Sequence, residues 1–171
     1  MKELTAEIIV QLIVSGLALG FIYALVSIEY TIIFNATGLL NFSHDKLIML
    51  GAYVFAGQFV LRMGAPPAIA IIATVATMFL FGVLVATGIF NPLRNMASPV
   101  FAVIGTVILG RILTELARVI WGATPFTVPG FLKGIVKIGS IVIPRANIAI
   151  ILVSAVIVTA LQIFFKTTKM G

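Results

Sequence analysis

Residues 68–90 read AIAIIATVATMFLFGVLVATGIF. No charge interrupts this run, and it exceeds the about 20 apolar helical residues that cross a hydrocarbon core about 30 Å thick. Upstream, Met63-Gly64-Ala65-Pro66-Pro67 is a tight connection whose prolines suit the first turn of a helix, where a missing N–H costs nothing. Downstream, Asn91-Pro92-Leu93-Arg94-Asn95 predicts the end of the span, with a helix breaker and a positive charge. Ser98-Pro99 then opens a helix to about Trp121. Further apolar stretches cover Ile8 to Ile28, Leu47 to Leu61 and Ala146 to Phe165, the last closed by Lys166 and Lys169. The fold class is all-α, a polytopic transmembrane helical bundle with about five membrane segments.

Composition agrees. Apolar residues make up 61% of the 171-residue chain and charged residues 9%, against roughly a quarter charged in ordinary globular domains. So few charges cannot cover a water-soluble surface. The net charge of +6 comes from eleven basic residues scattered between apolar runs. They form no basic–aromatic patch for nucleic acid and suit anionic lipid headgroups at span ends. Met1 to Glu7 holds one Lys and two Glu, a poor signal-peptide start, and the run that follows is longer than a signal core. It reads as a retained membrane helix. Its Gly16 and Gly20 either form a small-residue packing face or are simply tolerated there.

Uniform hydrophobicity fails once, between Glu29 and Lys46. Glu29, Asn35, Thr37, Asn41, Ser43, His44, Asp45 and Lys46 fall there, and Asn35-Ala36-Thr37-Gly38 reads as a helix break. The first span is therefore followed by a broken or re-entrant element. The short run Leu47 to Leu61 borrows its first turn from this polar segment. Residues Gly122 to Arg145 hold three prolines, four glycines and the alternating Ile141-Val142-Ile143. They predict an extramembrane loop with a short hairpin.

Ionisable groups in hydrocarbon are costly and face a protein interior or a water path. Arg111, Glu115 and Arg118 are spaced four and three apart, on one helical face. They read either as an intramembrane ion-pair ladder or as a solute contact. Glu29 stands either at the interface or inside the protein. His44, with Asn41, Ser43 and Asp45, offers dense hydrogen bonding at a helix break, which serves either a polar solute or the break itself. With no cysteine and one histidine there is no set of metal ligands. Ser43 and His44 are adjacent, which does not orient a base on a nucleophile, so no catalytic residue is assigned. A phosphate-binding G-x-x-x-x-G-K-[ST] loop is absent from the sequence. Any ATP would act through a partner, and no cofactor is expected to bind directly.

The segments Gly16-Leu-Ala-Leu-Gly-Phe-Ile-Tyr-Ala-Leu25, Asn41-Phe-Ser-His44, Met49-Leu-Gly-Ala-Tyr53, Pro92-Leu-Arg94, Ser98-Pro99, Ile104-Gly105, Phe126 and Pro129 occur in an order that resembles the permease subunits of bacterial branched-chain amino acid ABC importers, the LivH/LivM type. The resemblance covers nearly the whole chain. It implies a multi-pass protein of the bacterial plasma (inner) membrane that works with a second permease subunit, cytoplasmic ATPase subunits and a periplasmic substrate-binding protein. Counting basic residues alone slightly favours the opposite orientation. The resemblance puts Lys166 to Gly171 in the cytoplasm and the loop 122–145 in the periplasm. Glu29, Asn35, Asn41, Ser43, His44 and Asp45 are then the candidate substrate pathway.

Three departures stand out. Where the family has Asn-Phe-Ala-His-Gly and an acidic residue, this chain has Asn41-Phe42-Ser43-His44-Asp45-Lys46, losing a glycine and reversing a charge. Glu29 and Asn35 replace small residues. Family members also continue beyond the point matching Gly171 into a coupling segment and further helices, so the chain corresponds to the N-terminal half or more of a permease. The leading expectation is a permease component for branched-chain or other small amino acids. The alternative is a non-transporting scaffold or an orphaned permease fragment.

Overall fold

A computed structural model describes residues 6–96, 98–124, 126–128, 132–138 and 141–167. Helix α1 (Ala6–Thr37) is followed by α2 (His44–Ala52), which continues into a π-helical run, Tyr53–Arg62. Next come α3 (Pro67–Val85), a π-helical segment Ala86–Phe90, the short α4 (Asn91–Arg94) and α5 (Pro99–Trp121). A hairpin of β1 (Ile135–Ile138) and β2 (Ile141–Pro144) precedes α6 (Arg145–Thr167). Four stretches are long and apolar enough to cross a membrane: Glu7–Thr37, Pro67–Arg94, Pro99–Trp121 and Arg145–Thr167. The protein is a polytopic helical membrane protein. Its exposed Ile72, Phe79, Leu84, Val119 and Val156 are 67–82% accessible, a surface suited to lipid rather than water.

The chain falls into two compact units, Tyr30–Phe131 and a second made of Met1–Glu29 with Leu132–Gly171. In the first, α5 is the organising helix. Ala102, Thr106, Leu109, Gly110, Leu113 and Ala117 are buried along one face at spacings of three and four. Leu109 and Leu113 form a core with Leu50, Val54 and Val85, flanked by Phe59, Met78, Phe81 and Trp121. Ser98 caps α5 by accepting from the Val100 N–H at 3.4 Å, and Pro99 fills the first turn. Pro67 likewise fills the first turn of α3, after Pro66 at the N-cap and with no side-chain cap bond.

Two details differ from the sequence expectation. The segment placed at Leu47–Leu61 is helical but lies outside the four long apolar stretches, because Asp45, Lys46, Gln58 and Arg62 dilute it. Pro92 does not end the third span at Phe90. The helix widens over Ala86–Phe90, where the Asn91 N–H reaches back five residues to the Ala86 carbonyl, and carries on through Arg94. A wide turn relieves the clash that a proline ring makes with the preceding turn of an α-helix.

In the second unit, β1 and β2 pair antiparallel from Ile135↔Pro144 to Ile138↔Ile141, the hairpin anticipated from Ile141-Val142-Ile143. The Arg145 N–H then bonds the Gly134 carbonyl at 3.1 Å, joining hairpin to α6. Asn147 Nδ2 donates to Ser15 Oγ at 3.0 Å, tying α6 to α1. Pro129 and Lys169 lie outside the described residues.

Close approach governs the far end of the π-helical run. A Cβ on Gly57 would stand 2.5 Å from Trp121 Cδ1 and 3.1 Å from Phe126, while Tyr53 packs on the same rings at centroid distances of 5.5 and 5.4 Å. Gly82 has open space at its Cβ position. Gly57→Ala should therefore lose about 1–3 kcal/mol to overpacking, whereas Gly82→Ala should not. Thermal unfolding in detergent, followed by the single tryptophan, checks this, and equal melting temperatures for the two variants would contradict it.

Candidate functional site

The polar cluster begins where α1 stops. Gly38 takes a φ of +69°, a left-handed conformation that glycine adopts without a Cβ penalty, and its N–H bonds the Phe34 carbonyl at 2.8 Å. Thr37 Oγ1 donates to the Ile33 carbonyl at 2.7 Å and accepts from the Leu39 N–H at 3.2 Å. The helix end is thus closed by its own side chain.

Asn41 organises the next turn. Its Oδ1 accepts both the Ser43 N–H at 3.0 Å and the Ser43 hydroxyl at 2.6 Å, and the Ser43 carbonyl receives the Lys46 and Leu47 N–H groups that start α2. Between them, the Phe42 N–H donates to Thr106 Oγ1 on α5 at 3.2 Å, and that hydroxyl donates to the Val103 carbonyl at 2.9 Å. Gly110, four residues on from Thr106, lets α5 approach: a Cβ there would sit 3.4 Å from Lys46 Cγ and 3.5 Å from Ser43 Cα. His44 is buried, with its ring edge-on to Tyr30 at 5.5 Å and 86°. Asn41, Ser43 and Thr106 are buried too. Among the described residues, Asn41 Nδ2 has no hydrogen-bond partner.

The structure brings Asn41, Ser43 and His44 together. Asp45 turns outward, bonded to Lys46 Nζ at 2.6 Å. Glu29 and Asn35 are exposed on α1, which stays helical through both, so the break is confined to the residues between Thr37 and His44. The three-residue ladder on α5 is only partly formed. Glu115 and Arg118 pair at 3.0 Å on an exposed surface, while Arg111, among the described residues, makes no ion pair and instead lines a pocket. The reason is reach: a three-residue step brings Arg118 to Glu115, and Arg111 turns toward α2.

Sequence reading missed Thr106, Tyr30 and Gly110. The four-residue spacing of small residues Ala102, Thr106 and Gly110 was the available sign that this face of α5 admits another backbone.

The pocket, about 270 Å³, is lined by Phe42, Asp45, Lys46, Val107, Gly110 and Arg111. Beside it, the buried hydrogen-bonding cluster holds a chain break against the midpoint of a membrane-spanning helix, an arrangement suited to binding and passing a polar solute. Fold and site together define a multi-pass membrane protein of permease type.

The family described as the branched-chain amino acid transport system / permease component matches residues 12–171, and the chain belongs to it. It is 28% identical over 172 residues to the high-affinity branched-chain amino acid transport system permease protein BraD of Pseudomonas aeruginosa, covering 94% of this chain and 56% of that protein. Against the corresponding LivH proteins of Escherichia coli K12 and Salmonella typhimurium, identity is 24% and 26%, with the same coverage. The chain spans a little over half the length of these curated relatives. No solved structure matches.

Thr106→Val keeps the shape of the side chain but leaves the Phe42 N–H without its acceptor. It should cost about 1–3 kcal/mol, while Thr106→Ser should retain most of the stability. Melting temperatures in detergent decide, and a Val variant as stable as the Ser variant would remove Thr106 from this role.

Proposed function

We propose that the chain is a permease component of an ABC importer for branched-chain or other small amino acids in the bacterial plasma membrane. Membership of the permease family supports this reading, and the observation that carries it is the break between α1 and α2, held by Asn41 and Thr106 against α5. Glu29, Asn35, Asn41, Ser43, His44 and Asp45 remain the proposed pathway residues, with the buried Asn41, Ser43 and His44 at its centre. Unwound backbone and helix ends at such a break present fixed dipoles to a solute. The chain catalyses no reaction in this scheme and binds no cofactor itself. Cytoplasmic ATPase subunits hydrolyse ATP, a second permease subunit completes the path and a periplasmic binding protein delivers the substrate.

In a complete complex, Asn41→Leu or His44→Ala should lower L-leucine uptake by about tenfold or more, the equivalent of one charge-assisted hydrogen bond, with membrane insertion unchanged. Radiolabelled uptake into cells, set beside the amount of chain in the membrane fraction, reads both quantities. Unchanged uptake in both variants would remove the cluster from the path. Failure of an ATPase subunit to co-purify with the chain would favour a non-transporting scaffold.

A further inference from the structure

Arg111 is the charge that α5 leaves over. Glu115, four residues on, is close enough by spacing to pair with it, yet that carboxylate is taken by Arg118 at 3.0 Å. Among the described residues Arg111 makes no ion pair. It lines the pocket of about 270 Å³ together with Phe42, Asp45, Lys46, Val107 and Gly110.

The lining is therefore bipolar. Lys46 Nζ bonds Oδ2 of Asp45 at 2.6 Å, which leaves Oδ1 of that carboxylate outside the pair. The pocket offers a guanidinium at one point and a carboxylate oxygen at another, with Phe42 and Val107 as apolar wall. Gly110 adds no side chain to the space they share.

Depth decides what such a lining complements. Arg111 lies near the midpoint of α5, a helix long and apolar enough to span the membrane. A guanidinium at that depth is costly against acyl chains and belongs on a water-filled path or against an acceptor. A lone anion would satisfy Arg111 but set its charge against Asp45. A lone cation would satisfy Asp45 but meet Arg111 and Lys46. A zwitterion satisfies both ends at once.

We infer that this pocket reads both ends of a small amino acid, Arg111 taking the α-carboxylate and Asp45 the α-ammonium, while the aliphatic side chain lies against Phe42 and Val107. The planar fork of the guanidinium suits two carboxylate oxygens, and Asp45 Oδ1 accepts from the ammonium. A volume of about 270 Å³ is at the small end for ligand pockets, which suits a single amino acid rather than a peptide. The inference deepens the permease reading, on which it rests for the substrate class, and makes Arg111 and Asp45 the residues that determine specificity for the two charged groups.

Equilibrium dialysis of the full chain in phosphatidylcholine nanodiscs tests this with three probes of one carbon skeleton: L-leucine, L-leucinamide, which lacks the carboxylate, and 4-methylpentanoate, which lacks the ammonium. L-Leucine should bind about tenfold more tightly than either analogue. Arg111→Gln should erase its advantage over L-leucinamide and keep that over 4-methylpentanoate, and Asp45→Asn should do the reverse. A merely structural role would weaken all three probes alike, without this crossed pattern. Loss of the crossed pattern would overturn the inference. So would an analogue that binds the unaltered chain as tightly as L-leucine, or no binding of L-leucine, and these two outcomes need no variant to fold. Displacement of L-leucine by added phosphatidylethanolamine, whose headgroup is also a zwitterion, would assign the pocket to lipid and overturn it too. The permease reading fails separately. Leucine uptake and ATPase association without the crossed pattern remove the pocket assignment alone, whereas the crossed pattern without ATPase association removes the permease reading and keeps the pocket.

Discussion

Backbone that leaves a helix within a membrane protein loses its internal hydrogen bonds where water cannot replace them, and each unmet group costs several kcal/mol. The segment between Thr37 and His44 meets this constraint with side chains. Thr37 receives the Leu39 N–H, Asn41 the Ser43 N–H and Thr106 the Phe42 N–H. Two of these acceptors are local, but Thr106 lies 64 residues away on α5, so the break is stable only in contact with that helix. The placement of α2 follows from this contact.

From Ser43 beside Gly110, the chain reaches Gly57 beside Trp121 and ends at Arg62, whose guanidinium donates to the Ile120 carbonyl. The α2 segment and its π-helical continuation therefore run alongside only the second half of α5. Arg62 meets one of the carbonyls that a helix C-terminus leaves without an internal partner, where a cation is also favoured by the helix dipole. The packing between these two points is tight, with Leu50 and Val54 buried against Leu109 and Leu113. A partial-length element pinned at both ends leaves its polar start facing α5 near the middle of the span.

Much of this was legible in the sequence because the signals were local. Unbroken apolar runs mark spans, proline pairs and Ser98-Pro99 mark helix starts, and Asn35-Ala36-Thr37-Gly38 marks the break where Gly38 adopts its left-handed turn. What escaped depended on a distant partner. Thr106 reads as an ordinary helical threonine until the Phe42 N–H is placed against it. Pro92 reads as a terminator because a wide turn five residues long leaves no sequence signature strong enough to foresee it. The Arg111–Glu115–Arg118 spacing correctly put three charges on one face, but spacing alone cannot say that one of them will turn toward another helix. Glu29 looked like part of the break because it is polar, yet α1 tolerates a single charge without unwinding, since glutamate is a good helix former.

The charges on α5 separate by what surrounds them. Glu115 and Arg118 occupy the last two turns, are each about 60% exposed and pair across a single turn, and such an exposed pair contributes little stability. Toward a membrane surface, they need no further partner. Arg111 is one turn deeper, on a stretch of α5 whose Ile104, Ile108 and Ile112 are exposed apolar residues. There a guanidinium is costly against acyl chains and favours water or an anion. The face it occupies is shared with Val107 and opens on the start of α2, beside the turn that Asn41 and Thr106 hold. The same break that needs α5 for its hydrogen bonds therefore creates the polar surroundings in which α5 can carry Arg111. Straightening that break into continuous helix would remove the setting for the charge along with the reason for Thr106.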